Sequence, residues 1–418
     1  MFSSSFSLFL LFTLPSLFPA DQVPIQLPPS PRFPWIHKFA SIGDSYAAGL
    51  GAGTRVDWGC SRYSSSYPYI LHTSLLGSDA NRTHVALSCS GASTSMILET
   101  QVPQLQNSSL DLLTVSAGGN DIGLTPVLSN CVYQFCLNSE ADCDNAIHDA
   151  QTSIDDPNVL LKNVGNVIEA AKPKMNDQGM IVLTGYARFF GVEDELCDQV
   201  SWAVWNVGGY KKEYLSVQMR RRLNGLVLSV NQVLKKAAEA AGPRVLFVDY
   251  DAEIEAIRGR YCESGVIEPA PNREGLAFYE WNTVDDGENT TELQQHSGDN
   301  VPRGSFEAGI AERISKTLAE HPDWVFDPDM GFVNKDRVGE EGIIGDISDG
   351  IHWLLPDSYK RVFHMRPEGH KVVANEVVDR LERYKNFGLM RFGEGFIRGR
   401  VMWIAWVIGW IVVSFAIW

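Results

Sequence analysis

Apolar residues along this chain fall into short unbroken runs separated by longer amphipathic stretches. Five runs read as strands: Phe39–Ile42, Thr83–Cys89, Asp111–Ser116, Met180–Gly185 and Arg244–Asp249. Asp-Leu-Leu-Thr-Val-Ser at 111–116 is apolar at nearly every position, as a strand covered on both faces requires. Helical periodicity is predicted over Tyr63–Leu76, over Asn158–Lys172 up to Pro173, and over Tyr214–Ala241 up to Gly242-Pro243. It returns over Pro367–Tyr384, with a proline in the first turn. Strands alternating with helices predict an α/β fold in which a parallel sheet is covered on both faces. Chemistry in such a sheet gathers beyond the carboxyl ends of the strands. Between Asp251 and Gly350 the pattern weakens into a stretch rich in Asp, Glu, Gly and Asn. It reads as an insertion or lid within one domain spanning 37–386.

The two ends differ from this body. Residues 1–20 read as a secretory signal peptide, with an apolar stretch over Phe6–Leu17 and cleavage near Ala20. Residues 21–36 hold five prolines and predict an extended leader. At the far end, 396–418 forms a hydrophobic tail, and Val401–Trp418 carries no charge. Its length approaches the ~20 residues that cross a bilayer, so a membrane tail is expected. A helix lying in the interface and a removed anchor signal remain alternatives.

The formal net charge of -16 argues against nucleic acid or anionic headgroups as the main partner, since both would be repelled. Seven cysteines are present, none in Cys-x-x-Cys spacing, and with an export signal disulfides are expected. The pairs expected are Cys60–Cys89 and Cys197–Cys262, with one more bond within Cys131, Cys136 and Cys143. Sequons at Asn81, Asn107 and Asn289 fit a glycosylated exported chain. No metal-ligand cluster or cofactor motif is evident, and nothing in the sequence sets the oligomeric state.

Four polar blocks carry the candidate chemistry. Gly43-Asp44-Ser45-Tyr46 follows the first strand and opens a Gly-rich turn, which exposes the Ser45 hydroxyl and its backbone N–H. Alone it would more often be a helix cap. Ser88-Cys-Ser-Gly91 follows the second strand, where Gly91 lets the backbone approach a ligand. Gly118-Gly119-Asn120-Asp121 follows the third, and Asn120 has a side-chain N–H to offer a developing oxyanion. His364, just before the last helix, is placed to act as a general base. Asp349-Gly-Ile-His352 is a rival for the base or its orienting pair.

These four blocks, in this order, resemble the SGNH (GDSL) hydrolase family, in particular its extracellular esterase and phospholipase branch of actinomycetes and fungi. The resemblance implies a flavodoxin-like three-layer α/β/α sandwich and a serine ester hydrolase acting on a lipid or small-molecule ester. Within that reading Ser45 is the nucleophile, His364 the base, and the Ser45 amide, Gly91 and Asn120 the oxyanion donors. A carbohydrate O-acetyl esterase and a non-catalytic cell-surface binding protein on the same scaffold are the alternatives. Two positions depart from the family pattern. Met365 replaces the usual proline after the histidine, and Arg361 stands where an aspartate is common. The departure at Arg361 suggests a Ser45–His364 dyad oriented by a backbone carbonyl.

Overall fold

Five strands run parallel in one sheet: β1 (Lys38–Gly43), β2 (Thr83–Ala86), β3 (Leu110–Ser116), β4 (Met175–Thr184) and β5 (Val245–Val248). Their spatial order is β2-β1-β3-β4-β5. This computed structural model describes residues 33–57, 59–77, 81–132, 134, 140–202, 212–280, 283, 316, 318–327, 331–335 and 361–385. The strand order is the flavodoxin-like one, and its switch point lies between β1 and β3. Ile42, Leu112, Leu113, Val115, Val182 and Leu183 are all fully buried. Consecutive apolar residues are buried because helices cover both faces of the sheet, so the strands read as runs rather than alternations.

Each predicted strand is present with its ends shifted by a few residues. The second is shorter than expected: the ladder to β1 continues through the Leu87 and Cys89 amides to Ser41 and Gly43, but Cys89 is then drawn into a disulfide with Cys60. Two other disulfides join Cys197 to Cys262 and Cys131 to Cys143. Cys136 lies outside the described residues.

The helices that position the site are α1 (Ser45–Ala48), α2 (Leu124–Cys131), α3 (Glu140–Asp155), α4 (Lys162–Ala171), α5 (Val217–Ala241) and α6 (367–385). The pattern anticipated α4, α5 and α6, but neither α2 nor the longer α3. That helix is dominated by polar residues, and its buried stripe is only Cys143, Ala146, Ala150 and Ile154. The three-to-four spacing is helical, but small side chains give it little weight.

Two expected boundaries change. The last residues of the expected leader are part of the core: Phe33 and Ile36 are buried, and Arg82 donates to the carbonyls of Phe33, Ile36, Leu76 and Gly77. Residues 251–280, expected to begin an insertion, instead pack into the domain. Cys262 is tied to Cys197, and Tyr279 pairs with the segment that carries His364. Farther on, Trp324–Asp327 and Gly331–Asn334 form a small antiparallel ribbon. Among the described residues no helix is long and apolar enough to cross a membrane. The signal 1–20 and the tail 396–418 lie outside the described residues, as do Asn289, Asp349 and His352.

The end of β1 leaves no room for a side chain. Gly43 has φ +138°, and a Cβ there would lie 2.3 Å from the Ser116 carbonyl oxygen on β3. Gly43→Ala should therefore lower the unfolding free energy by about 2–3 kcal/mol, through strain and overpacking together. Denaturant titration checks this, and an unchanged midpoint would count against it.

Candidate active site

Gly43 ends β1 with both its amide groups held by one side chain. The Gln101 amide accepts from Gly43 N at 2.7 Å and donates to its carbonyl at 2.9 Å. Asp44 then caps α1, accepting from the Tyr46 amide at 3.0 Å, while its own N–H donates to the Ser116 carbonyl. Ser45 is the first residue of α1, where a backbone N–H has no partner within the helix. Gly49 closes this single turn in the left-handed conformation.

The histidine arrives from the far end of the chain. The Nε2 atom of His364 is 2.8 Å from Ser45 Oγ, across 319 positions of sequence. With Nε2 accepting from the hydroxyl, Nδ1 carries the proton and donates to the Val362 carbonyl at 3.3 Å. The backbone acceptor that the resemblance suggested is thus Val362. Arg361 turns elsewhere: its guanidinium donates to the Thr283 carbonyl and lies 4.2 Å over the Tyr279 ring. Backbone bonds fix the His364 segment from Tyr279 N to the His364 carbonyl and from Phe363 N to the Tyr279 carbonyl. The Tyr46 hydroxyl donates to the Phe363 carbonyl at 2.8 Å, tying the Ser45 turn to the histidine turn directly. The Phe363 ring is seated among Phe189, Phe190, Trp202 and Tyr261. Trp202 is therefore a packing residue of this support.

Gly91 and Asn120 come together beyond β2 and β3. Gly91 has φ +80°, a conformation that favours glycine. Asn120 Nδ2 donates to the Ala92 carbonyl at 3.0 Å, which spends one of its two hydrogens. Asp121 accepts from the Thr94 amide and hydroxyl and locks the two turns against each other. Burial raises the Asp121 carboxyl above its ordinary value. His370 is buried, accepts from Tyr67 N and is pushed down to about 3 by burial, so it is a neutral packing residue of α6.

Tyr186, two residues beyond β4, was not among the sequence candidates. Its hydroxyl donates to Asp44 at 2.6 Å and accepts from the Gly119 amide at 3.2 Å. Burial pushes the Asp44 carboxyl up to about 6, against the hydrogen bonds from Tyr186 and Ser116. The usable signal was position alone: Tyr186 follows the carboxyl end of the fourth strand, as the other blocks follow theirs. Beside it lies an apolar pocket, partly open to solvent. Its lining includes Gly119 and Tyr186 together with Val127, Leu128, Leu226 and Val227 from α2 and α5. Among the described residues no cluster of three or more His, Cys, Asp or Glu is placed to hold a metal ion.

Next to Tyr279, Glu280 and Glu268 form a buried acidic pair whose carboxylates both accept from the Ala270 amide. Burial and the nearby Glu268 push Glu280 up to about 8. Because its folded value lies above the unfolded one, its stabilising contribution is complete below about pH 4.5 and is lost as the pH rises through about 8. Glu280→Gln should remove that loss, gaining on the order of 1–3 kcal/mol over the parent near pH 9 and little near pH 4. Urea midpoints across this range decide it, and parallel curves for the two proteins would refute it.

Residues 41–267 match the GDSL-like Lipase/Acylhydrolase family. A lipase of Streptomyces rimosus is 29% identical over 207 residues, covering 49% of this chain and 67% of the relative. Lipase 1 of Streptomyces coelicolor is 31% identical over 154 residues, covering 36% of this chain and 53% of the relative. The crystal structure of the extracellular S. rimosus lipase is 26% identical, with a TM-score of 0.44, covering 54% of this chain and 85% of that one. The family match spans more than half of the chain and takes in the blocks at Ser45, Gly91 and Asn120. The chain belongs to the GDSL-like lipase/acylhydrolase family and is a carboxylic ester hydrolase.

Proposed function

We propose that the protein hydrolyses lipid esters through an acyl-Ser45 intermediate with His364 as the base. The observation that carries this reading is the 2.8 Å contact between Ser45 Oγ and a histidine whose far nitrogen donates to a backbone carbonyl. In the first step His364 Nε2 takes the hydroxyl proton as Ser45 Oγ bonds to the ester carbonyl carbon. The oxyanion accepts from the amides of Ser45 and Gly91 and from the second hydrogen of Asn120 Nδ2. Each such donor is worth about 10²–10³ in rate where it has been removed from comparable sites. On collapse, the C–O bond to the alcohol breaks, and the leaving oxygen takes the proton from Nε2. Water then repeats the sequence and releases the acid. The Val362 carbonyl holds the tautomer that allows this, and it stabilises the imidazolium less than a carboxylate would.

The pocket supports a long acyl group over acetyl. Its lining includes Val127, Leu128, Leu226 and Val227, together with Gly119, the residue before Asn120. Burying a CH₂ is worth about 0.8 kcal/mol, so a chain of several carbons gains from entering while an acetyl group does not. This favours a lipid ester over an acetylated carbohydrate. The reading also places the protein in the secretory pathway, secreted or held at the cell surface. Three disulfides and exposed sequons at Asn81 and Asn107 support export. The apolar segments at 1–20 and 396–418 are the expected signal and membrane tail.

Hydrolysis of a panel of acetyl, medium-chain and long-chain esters, phospholipids and acetylated sugars tests the reading. We expect kcat/KM to rise about tenfold or more from acetyl to a chain of about eight carbons. Ser45→Ala should lower every rate to background, and Val227→Trp should remove the chain-length preference while sparing acetyl esters. Preference for acetylated sugar, or full activity of Ser45→Ala, would refute it.

A further inference from the structure

The nucleophile turn and the oxyanion turn come from different strands, and something must fix the distance between them. Asp44 precedes the nucleophile and Gly119 precedes Asn120. One phenol connects the two. The single proton of Tyr186 goes to Asp44 Oδ2, and a lone pair of the same oxygen accepts from the Gly119 amide. The other carboxylate oxygen, Oδ1, accepts from the Tyr46 amide at 3.0 Å and from Ser116 Oγ at 2.8 Å. Asp44 thus uses both oxygens as acceptors, and Tyr186 is the partner that reaches across to the third block.

Tyr186 is itself held from behind. Its amide donates to Asn231 Oδ1 at 2.9 Å, and its carbonyl accepts from Asn231 Nδ2 at 2.7 Å. Asn231 is buried on α5. Gly185 makes this approach possible, since a Cβ there would lie 2.7 Å from Asn231 Oδ1 and 2.9 Å from the Phe247 ring. The Tyr186 ring packs edge-on against Tyr46, whose hydroxyl holds the Phe363 carbonyl beside His364. Backbone clamp, ring contact and hydroxyl bridge leave the phenol no freedom.

We propose that Tyr186 is a positioning residue for the hydrolysis, setting the spacing between the Ser45 turn and the Gly119-Asn120 donors through its bridge from Asp44 to the Gly119 amide. The inference rests on Ser45 being the nucleophile. It acts on the transition state because the oxyanion forms between the two turns that the bridge connects. A displacement of about 1 Å between them costs up to about a hundredfold in rate without much change in ground-state binding. Tyr186 also lines the acyl pocket, but the bridge acts on the carbonyl, which every ester shares.

Tyr186→Phe removes one oxygen and keeps the ring. We expect kcat to fall about tenfold to a hundredfold, by the same factor for acetyl and long-chain esters, with KM within about threefold of the parent. Asp44→Asn keeps the shape but offers one acceptor where two are used, so it should show the same split. The double variant should lose no more than about the worse single one, because both break the same bridge. Far-UV dichroism and denaturant midpoints should show all three folded. An unchanged kcat, a loss confined to long-chain esters, additive losses or an unfolded Tyr186→Phe would overturn the inference. Ser45→Ala run alongside separates the two levels: if it still hydrolyses the panel, the reading of the site fails and this inference with it. If it is inactive while Tyr186→Phe matches the parent, only the inference fails.

Discussion

Where a parallel sheet ends, backbone groups lose their ladder partners, and buried ones must be paired again at a cost of a few kcal/mol each if they are not. Here the ends of β1 and β3 are closed around one buried carboxylate. Asp44 takes hydrogen bonds from Tyr46, Ser116 and Tyr186, while its amide binds the Ser116 carbonyl. Burial opposes the charge that these bonds favour, and burial is the larger effect, since the carboxyl is raised to about 6. Charging this carboxyl in place therefore costs more than it would in water. It fixes the turn on which Ser45 stands.

The same constraint explains how a histidine 319 positions away reaches that serine. No carboxylate holds it within the described residues. Position comes instead from backbone pairing with Tyr279, from the Tyr46 hydroxyl on the Phe363 carbonyl, and from an aromatic cluster that seats the Phe363 side chain. A rigid segment brings the Val362 carbonyl to Nδ1. Arg361 braces the neighbouring loop through Thr283 and Tyr279. The Tyr279 hydroxyl extends that brace to the Gly51 carbonyl, just past the nucleophile turn.

Much of this was legible in the sequence because strong local signals happen to mark it. Continuous apolar runs betrayed all five strands, and each polar block followed its strand. Ser45, Gly91, Asn120 and His364 are named through the resemblance of four blocks, each weak alone, to one family. Asp44 holds its turn through hydrogen bonds that no local pattern announces. Tyr186, Gln101 and Tyr279 were not legible. A lone tyrosine or glutamine has no pattern, and its role exists only once the strands are ordered. The helix α3 leaves only a faint stripe because its residues are small and polar, and the weak pattern over 251–280 hides a short helix, Asp251–Ala256, and irregular chain that packs against the domain.

The central claim is that Ser45 is a nucleophile made reactive by His364. The direct measurement is covalent labelling with a serine-reactive phosphonate, followed by peptide mapping of the adduct and its rate of formation. The account predicts one adduct, on Ser45, forming at least about a hundredfold more slowly in His364→Ala. An adduct on another serine, or equal labelling of Ser45 without the histidine, would contradict it.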